Sequence, residues 1–303
     1  MESLLRKNSR EHLRAHQKDG VLYFTFPILD AMPFLIHGFS SRIGGVSENE
    51  FSSMNLSFTR GDVPERVDEN FHRIADAVGF PYEKMVFSHQ THTTNVRVVT
   101  KEDCGRGYLR ERDYQDVDGL ITNEPGVVLS TFYADCVPLY FVDPVHRAIG
   151  LSHSGWRGTV NDIAGATVRK MQEAFGTVPA DLIAAIGPSI CQDCYEVSED
   201  VIDQFRARYP ESVWQFLFVE KKADNGQQKI TWPDEDRKNA EIQKKYRLNI
   251  WEACRQNLLR AGVQEKNIQI TDLCTCCNPD IFFSHRASHG KRGNLAGFLA
   301  VKS

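Results

Sequence analysis

Three short segments of the chain carry the side chains that bind transition metals. They are Ser88-His89-Gln90-Thr91-His92, Ala134-Asp135-Cys136 and the segment from Ser152-His153 to Gly158. Two neutral imidazoles and one thiolate form a three-ligand set for zinc that leaves one coordination position open for a reactant. The first hypothesis is therefore a zinc-dependent enzyme with His92, Cys136 and His153 as ligands.

The first segment contains two histidines, and the residues alone do not decide between them. His89 and His92 are three positions apart, so a strand would direct them to opposite faces. Thr91 and Thr93 are β-branched and argue against a helix that would place both on one face. At most one of the two histidines is expected to reach the metal.

Cys136 and His153 are both expected at the ends of strands. Pro138 follows the polar Ala134-Asp135 break, and His153 ends the apolar run Ile149-Gly150-Leu151. A free cysteine is often a small buried apolar residue, which is the plainest interpretation of Cys136. A second alternative is a cysteine hydrolase in which His153 activates Cys136 as the nucleophile.

Two glycine-containing segments are candidates for binding an anion. Gly155 and Gly158 flank Trp156-Arg157 at the predicted start of a helix, where backbone amides and Arg157 can hold a negative group. Arg42 precedes the hydroxyl-rich Gly44-Gly45 turn, which offers backbone donors beside a guanidinium. A plain surface turn is the alternative for the second segment.

The eight cysteines include two pairs that provide a rival metal site. The pairs Cys191/Cys194 and Cys274/Cys277 have the spacing of a closed structural zinc site. Neither pair has a glycine after its second cysteine, which argues against a zinc knuckle. The sequence leaves this site open.

Bulk properties exclude several classes of protein. The 303 residues are 41% hydrophobic and 25% charged, with a net charge of -4, so no electrostatic footprint for nucleic acid or an anionic membrane is present. The chain has no apolar run of roughly 20 residues, the length that spans a bilayer. Met1 to Lys7 leads into no apolar segment, so we expect no secretory signal and a cytoplasmic protein.

The predicted elements favour one mixed α/β (α+β) domain from residue 21 to residue 303, preceded by a charged N-terminal extension, residues 1–20, that is helical or frayed. Apolar spacing predicts helices from Arg66 to Val78, after Gly158, from Ser198 and from Asn249 to Ala261. The polar stretch Lys221 to Lys245 looks like a surface insertion. Predicted strands are 21–24, 34–39, 85–87, 96–99, 119–122, 127–132, 138–142, 148–152, 182–186, 268–270 and 295–301.

Together these segments resemble the laccase-domain, or multi-copper polyphenol oxidoreductase, family, whose bacterial and mammalian members have been reassigned as purine nucleoside phosphorylases. The resemblance extends from about Phe34 to Leu299. It is carried by the segments 38–47, 55–56, 90–92, 118–122, 134–138, 153–158, 186–188, 194–197, 274–275 and 282–286.

The resemblance implies a ligand set, a fold and an activity. The family's metal residues correspond here to His92, Cys136 and His153, which decides between His89 and His92. The implied fold is a four-layer α/β/β/α arrangement with mixed β-sheets. The implied activities are phosphorolysis of inosine, guanosine, adenosine and methylthioadenosine, together with adenosine deamination.

Roles for further residues follow as expectations. Arg42 and Arg157 are expected to orient phosphate, Asn55 and Arg286 to contact substrate or phosphate, and Asp135 to act as acid/base. The expected partners are purine nucleosides and phosphate, with the chain a monomer or homodimer.

Copper polyphenol oxidation is an alternative reaction. A multicopper cluster needs many imidazoles, usually in His-x-His pairs, and none of the ten histidines has that spacing. Cu²⁺ can nevertheless bind the same three ligands. The zinc-deaminase signature His-x-Glu is also absent from the chain, so the sequence does not explain the implied deamination.

Overall fold

The computed structural model describes residues 4–7, 12–221 and 244–303. These ranges contain fifteen strands, most of them short and apolar. The strands are β1 Arg14–Lys18, β2 Val21–Thr25, β3 Leu35–Ser40, β4 Met85–Phe87, β5 Val96–Val98, β6 Gly119–Thr122, β7 Val128–Tyr133, β8 Val137–Asp143, β9 Ala148–Ser154, β10 Ile183–Ile186, β11 Glu196–Ser198, β12 Phe218–Glu220, β13 Lys245–Leu248, β14 Ile268–Ile270 and β15 Leu295–Val301.

Seven α-helices accompany the strands in the same described ranges. They are α1 Pro27–Asp30, α2 Pro64–Val78, α3 Trp156–Val160, α4 Ile163–Phe175, α5 Glu199–Arg208, α6 Glu211–Leu217 and α7 Ile250–Arg260. None of them has the length and apolar character that crossing a bilayer requires.

The strands form two six-stranded mixed sheets and one small sheet. The first sheet has the order β1-β2-β3-β15-β7-β4, and the second has the order β14-β10-β8-β9-β6-β5. Pairing is antiparallel except for β4 with β7, β5 with β6 and β10 with β14, which are parallel. The third sheet, β11-β13-β12, is antiparallel.

The two large sheets pack face to face, and helices cover their outer faces. Successive side chains of β6 point to opposite faces of the second sheet. Leu120 packs into the core between the two large sheets, and Ile121 packs against α4 on the outer face. Helix α2 covers the first sheet through Phe71 and Ile74. Helices α4 and α7 cover the second sheet, so the predicted α/β/β/α order is confirmed.

Most predicted elements are confirmed, and the differences have local causes. Helix α2 ends at Gly79, as expected, because Gly79 adopts φ 93°. The helix after Gly158 is two helices, since Asp162 adopts φ 68° and its carboxylate caps Gly165 at the start of α4. The prediction of a helical or frayed start is wrong for Arg14–Lys18, which pair with β2. Most of the polar stretch, residues 222–243, lies outside the described residues.

The topology brings chain segments from both sheets together near one end of β9. His153 lies near the end of β9, Cys136 lies in the connection from β7 to β8, and His92 lies in the connection from β4 to β5. Because β7 belongs to the first sheet and β8 and β9 to the second, this site lies where the two sheets are joined.

Candidate metal centre and its cavity

The side chains of His92, Cys136 and His153 converge as the sequence predicted. Their ligand atoms all lie within 4.8 Å of one another, and His92 Nε2 is 3.9 Å from Cys136 Sγ. Usual Zn–N and Zn–S bond lengths at a tetrahedral centre separate such a pair by about 3.5 Å. The donor set and its spacing therefore fit a metal ion with one position left open.

Each ligand has a different backbone setting. His153 is buried on β9, whereas His92 and Asp135, the residue before Cys136, adopt the left-handed conformation at φ 67° and φ 86°. Non-glycine residues rarely adopt positive φ angles. Such a conformation persists only where contacts with neighbouring residues enforce it.

The buried carboxylate of Asp118 holds two of the three ligands in place. Its Oδ1 accepts from His153 Nδ1 at 2.8 Å and from the His92 backbone N–H at 3.1 Å. Its Oδ2 accepts from the backbone N–H groups of Thr91 and Thr93. A carboxylate on one ring nitrogen fixes the histidine tautomer and leaves Nε2 free for a metal, as in carboxylate–histidine–zinc sites.

Gln90 and Gly155 complete the support of His92. The Gln90 amide pairs with both backbone groups of Phe132 at 2.7 Å, which ties the histidine segment to β7. Gly155 leaves the space that His92 occupies, because a Cβ there would lie 2.5 Å from His92 Cδ2 and 3.2 Å from Cys136 Sγ.

The charges of these groups depend on one another. Burial alone would raise the pKa of Cys136, but His153 and His92 bring it down to about 6. Burial alone would lower the pKa of His153, but Cys136 and Asp118 raise it to about 9. Despite its burial, Asp118 has a pKa of about 2, because His153 and the Thr93 and Thr91 amides stabilise its charge.

The three ligands open into a cavity of about 480 Å³, within the range of roughly 300–1,000 Å³ that small-molecule sites occupy. Its wall is mixed aromatic and polar. The lining includes Phe58, Phe87, Phe132, Tyr133, Ser57, Thr59, Ser88, His89, Gln90, Arg112, Arg292 and Asn294. His89, the histidine outside the ligand group, accepts the Asp116 backbone N–H on its Nδ1.

Arg42 and Arg157, which were predicted to orient phosphate, are not among the residues that line this cavity. Arg42 donates to the carbonyl oxygens of Ser52 and Pro279. Arg157 is exposed, and its guanidinium lies over the Trp156 ring at 4.4 Å. Phosphate binding by either residue stays a prediction that this geometry does not favour.

Asn55 and Arg286 are engaged with the backbone. Asn55 is fully buried, and its Oδ1 accepts from the Asn294 N–H at 2.9 Å. Arg286 donates from its guanidinium to the carbonyl oxygens of Cys194 and Glu196. Both residues shape loops beside the site, and their predicted contacts with substrate stay untested.

Asp135 also has partners outside the cavity. Its carboxylate accepts from Thr275 Oγ1 and from the Arg286 backbone N–H, each at 2.7 Å. These bonds hold the strained residue that precedes Cys136. The predicted acid/base role of Asp135 stays untested, and its contacts are those of a positioning residue.

The sequence patterns assign no ligand, catalytic or binding role to Asp118, Arg112 or Arg292. Asp118 immediately precedes an apolar strand, and a carboxylate at a strand end was a usable signal. Arg292 lies in the glycine-flanked segment Gly290-Lys291-Arg292-Gly293. Its place in the cavity depends on the pairing of β15 with β7, which the sequence does not reveal.

The fold and site define a class of protein: an α/β domain with two large packed sheets and a His-Cys-His ligand group that lines a cavity of small-molecule size. The sequence model of the family described as "Multi-copper polyphenol oxidoreductase laccase" matches residues 36–302. The chain belongs to this family.

Curated relatives and solved structures agree with this assignment. Purine nucleoside phosphorylase YlmD of Bacillus subtilis is 35% identical over 272 residues, covering 88% of this chain and 89% of the relative. The crystal structure of YlmD from Geobacillus stearothermophilus matches with a TM-score of 0.79 at 32% identity, covering 99% of this chain and 100% of that one. The Bacillus licheniformis hypothetical protein YfiH matches with a TM-score of 0.81 at 32% identity, covering 96% and 99%.

Proposed function

We propose that the chain is a zinc-dependent purine nucleoside phosphorylase that cleaves inosine, guanosine, adenosine and methylthioadenosine with phosphate and also deaminates adenosine. The observation that carries the proposal is the convergence of His92, Cys136 and His153 at a cavity that also contains Arg292. The choice of purine nucleosides is supported by the names of the curated relatives.

Arg292 and Arg112 are the proposed phosphate ligands within the cavity. Arg292 and Arg112 both line the cavity, and the buried Arg292 Nε has no hydrogen-bond partner among the described residues. Burial and the charge of Arg60 lower the pKa of Arg292 to about 10, and the guanidinium still stays protonated at neutral pH. Phe58, Phe87 and Phe132 supply flat apolar surfaces for a purine ring.

Zinc held by His92, Cys136 and His153 would supply Lewis acidity at the open position. The chain's own contribution is orientation, because Asp118 keeps His153 Nε2 directed at the ligand group. Arg292 would place phosphate for attack on C1′ of the ribose and offset its charge. The aromatic wall would exclude water, so that phosphate rather than water is the acceptor.

The direct test is incubation of the purified protein with inosine and phosphate. We expect hypoxanthine and ribose 1-phosphate, separated by chromatography, and neither product when phosphate is omitted. Arg292→Ala should raise KM for phosphate at least 10-fold, whereas Arg42→Ala, the control at an arginine outside the cavity, should leave that KM unchanged. Release of free ribose without phosphate would contradict phosphorolysis.

Adenosine deamination is measured in a separate assay. Adenosine incubated without phosphate should yield inosine, and the rate should fall with loss of metal in Cys136→Ser. Arg292→Ala should affect phosphorolysis much more than deamination, because deamination uses no phosphate. Equal loss of both activities in Arg292→Ala would argue against the assigned phosphate role.

One observation favours a second candidate function, a cysteine hydrolase. Asp118, His153 and Cys136 are arranged in the order carboxylate, imidazole, thiol, which is the order of a nucleophilic triad. Metal analysis separates the two functions. Zinc that disappears in Cys136→Ala supports ligation, whereas a metal-free active protein that loses activity on alkylation of Cys136 supports the hydrolase.

Copper polyphenol oxidation is the weaker alternative. Within the described residues, this ligand group contains two imidazoles, fewer than a multicopper cluster needs. Purified protein loaded with Cu²⁺ should therefore show no oxidation of a phenolic substrate.

A further inference from the structure

A second group of metal-binding side chains lies apart from the cavity. The sulfur atoms of Cys191, Cys194, Cys274 and Cys277 all lie within 4.8 Å of one another. Cys277 Sγ is 3.8 Å from Cys191 Sγ and 3.4 Å from Cys194 Sγ. Zn–S bonds of about 2.3 Å at a tetrahedral centre require sulfur–sulfur separations of about 3.8 Å, and the observed distances are close to that value.

Two loops from neighbouring strands bring the four sulfurs together. Cys191 and Cys194 follow β10, and Cys274 and Cys277 follow β14, which pairs with β10 in parallel. The loops are joined by a bridge between Ser189 and Cys274. Each pair has the C-x2-C spacing of zinc ribbons, so the glycine missing after the second cysteine did not prevent convergence.

Hydrogen-bond donors and an ammonium group lie beside the four sulfurs. Backbone N–H groups of Cys191 and Cys277 donate to Cys274 Sγ at 3.2 and 3.4 Å. Asp193 lies between Cys191 and Cys194 in the sequence, and its carboxylate forms an ion pair with Lys7 Nζ at 2.8 Å. Four thiolates around a divalent cation carry a net charge of −2, which amide donors and a nearby ammonium group offset.

We propose that Cys191, Cys194, Cys274 and Cys277 bind a second Zn²⁺ ion as a closed structural site. The four thiols lose their protons to solvent as the ion binds, and no electron is transferred. With four protein ligands, no coordination position remains for a reactant. This site is separate from the His92, Cys136 and His153 group, and none of its residues lines the cavity.

Hydrogen bonds connect the loops of the four cysteines to the cavity. Thr275, next to Cys274, donates to Asp135, the residue before Cys136. Arg286 donates to the Cys194 carbonyl oxygen from its side chain and to Asp135 from its backbone. The second zinc would therefore brace the two loops that hold the Asp135-Cys136 turn.

Zinc stoichiometry tests the proposal without using activity. Protein purified from zinc-supplemented cells and desalted should contain two zinc ions per chain by elemental mass spectrometry. Cys277→Ser and Cys136→Ser should each contain one, and the double variant should contain none. Cys276→Ser is the matched control, because it changes a cysteine of the same loop that lies outside the four-sulfur group, and it should keep both ions.

If Cys277→Ser does not fold, cobalt spectroscopy of Cys136→Ser tests the same site. Cys136→Ser reconstituted with Co²⁺ should show intense thiolate-to-cobalt charge transfer and the visible bands of a tetrahedral tetrathiolate. A thiol reagent should modify Cys191, Cys194, Cys274 and Cys277 only after a strong chelator is added. A Cys136→Ser protein that binds no metal, or disulfides among the four cysteines in freshly purified wild type, would overturn the proposal.

Discussion

At the scale of single residues, the candidate metal centre depends on groups that are not themselves ligands. Asp118 accepts from His153 and from three successive backbone N–H groups, those of Thr91, His92 and Thr93. One carboxylate therefore fixes both the ring of one histidine and the backbone of the other. Such partners are expected to influence metal affinity almost as strongly as the ligands.

Asp118→Asn tests this support. The substituted amide lacks the charge that holds His153, and its Nδ2 would face backbone N–H groups rather than accept from them. We expect zinc affinity at the His92 site to fall about 10- to 100-fold, measured by competition with a chromophoric chelator. Asp116→Asn, at an exposed acceptor for Thr91 Oγ1, is the control and should change affinity less than twofold.

Gly155→Ala tests the space reserved for His92. The added Cβ would lie 2.5 Å from the imidazole Cδ2, so the ring must leave its position. Loss of zinc from this site, read by metal analysis, is the expected result. Gly158→Ala is the matched control, because its Cβ meets nothing closer than 3.5 Å. A Gly155→Ala protein with full zinc content would show that His92 is not a ligand.

The metal-free protein should contain a thiolate–imidazolium pair between pH about 6 and about 9. Because the folded pKa of Cys136 is below its ordinary value, its contribution to stability is lost as pH falls through about 6. His153 has a folded pKa above its ordinary value, so its contribution is lost as pH rises through about 9. Ultraviolet titration of thiolate should show a midpoint near pH 6 that is absent in Cys136→Ser. A midpoint near the ordinary cysteine pKa would refute the pairing.

At the scale of elements, helix α2 supports the aromatic wall of the cavity. The Phe71 ring is fully buried and packs 5.5 Å from Phe58, 5.0 Å from Phe87 and 6.2 Å from Phe132. These three partners line the cavity, whereas Phe71 does not. Through the Phe71 ring, the helix thus packs behind the aromatic wall without lining the cavity itself.

Phe71→Ala should reduce the free energy of unfolding by about 3–5 kcal/mol, because it leaves a void behind three rings. If the purine packs on that wall, KM for inosine should rise more than kcat falls. Denaturant unfolding and steady-state kinetics measure the two effects. Asp76→Ala, at an exposed position of the same helix, should change neither quantity appreciably.

At the scale of the whole molecule, the two large sheets are held together by apolar packing and by buried polar contacts. Tyr140 on β8 is fully buried, and its hydroxyl donates to the Gly38 carbonyl oxygen on β3 at 2.9 Å. Gly297 on β15 leaves room for this hydroxyl, since a Cβ there would lie 2.7 Å from it.

Tyr140→Phe should lower the free energy of unfolding by about 1–2 kcal/mol, because it removes a buried hydrogen bond and keeps the ring. The denaturation midpoint should fall with an unchanged slope, and zinc content should stay the same. A change in zinc content would show that this contact between the sheets is coupled to the metal centre.

The sequence by itself determined the elements and the chemical character of the site. Apolar alternation located the main strands, and helical spacing together with Gly79 located α2. Residue types proposed Cys136, His153 and one of the two histidines His89 and His92. These features are local, since they follow from backbone periodicity and from the donor atoms of individual side chains.

Only the tertiary structure decided which distant groups meet. Asp118 beside His153, Arg292 in the cavity, and the two cysteine pairs side by side all depend on strand pairing between segments far apart in the chain. It also showed that the guanidinium groups of Arg42 and Arg286 donate to backbone carbonyl oxygens, while their predicted contacts with phosphate or substrate stay untested. Strand order is set by packing over the whole core, and no spacing rule along the chain encodes it.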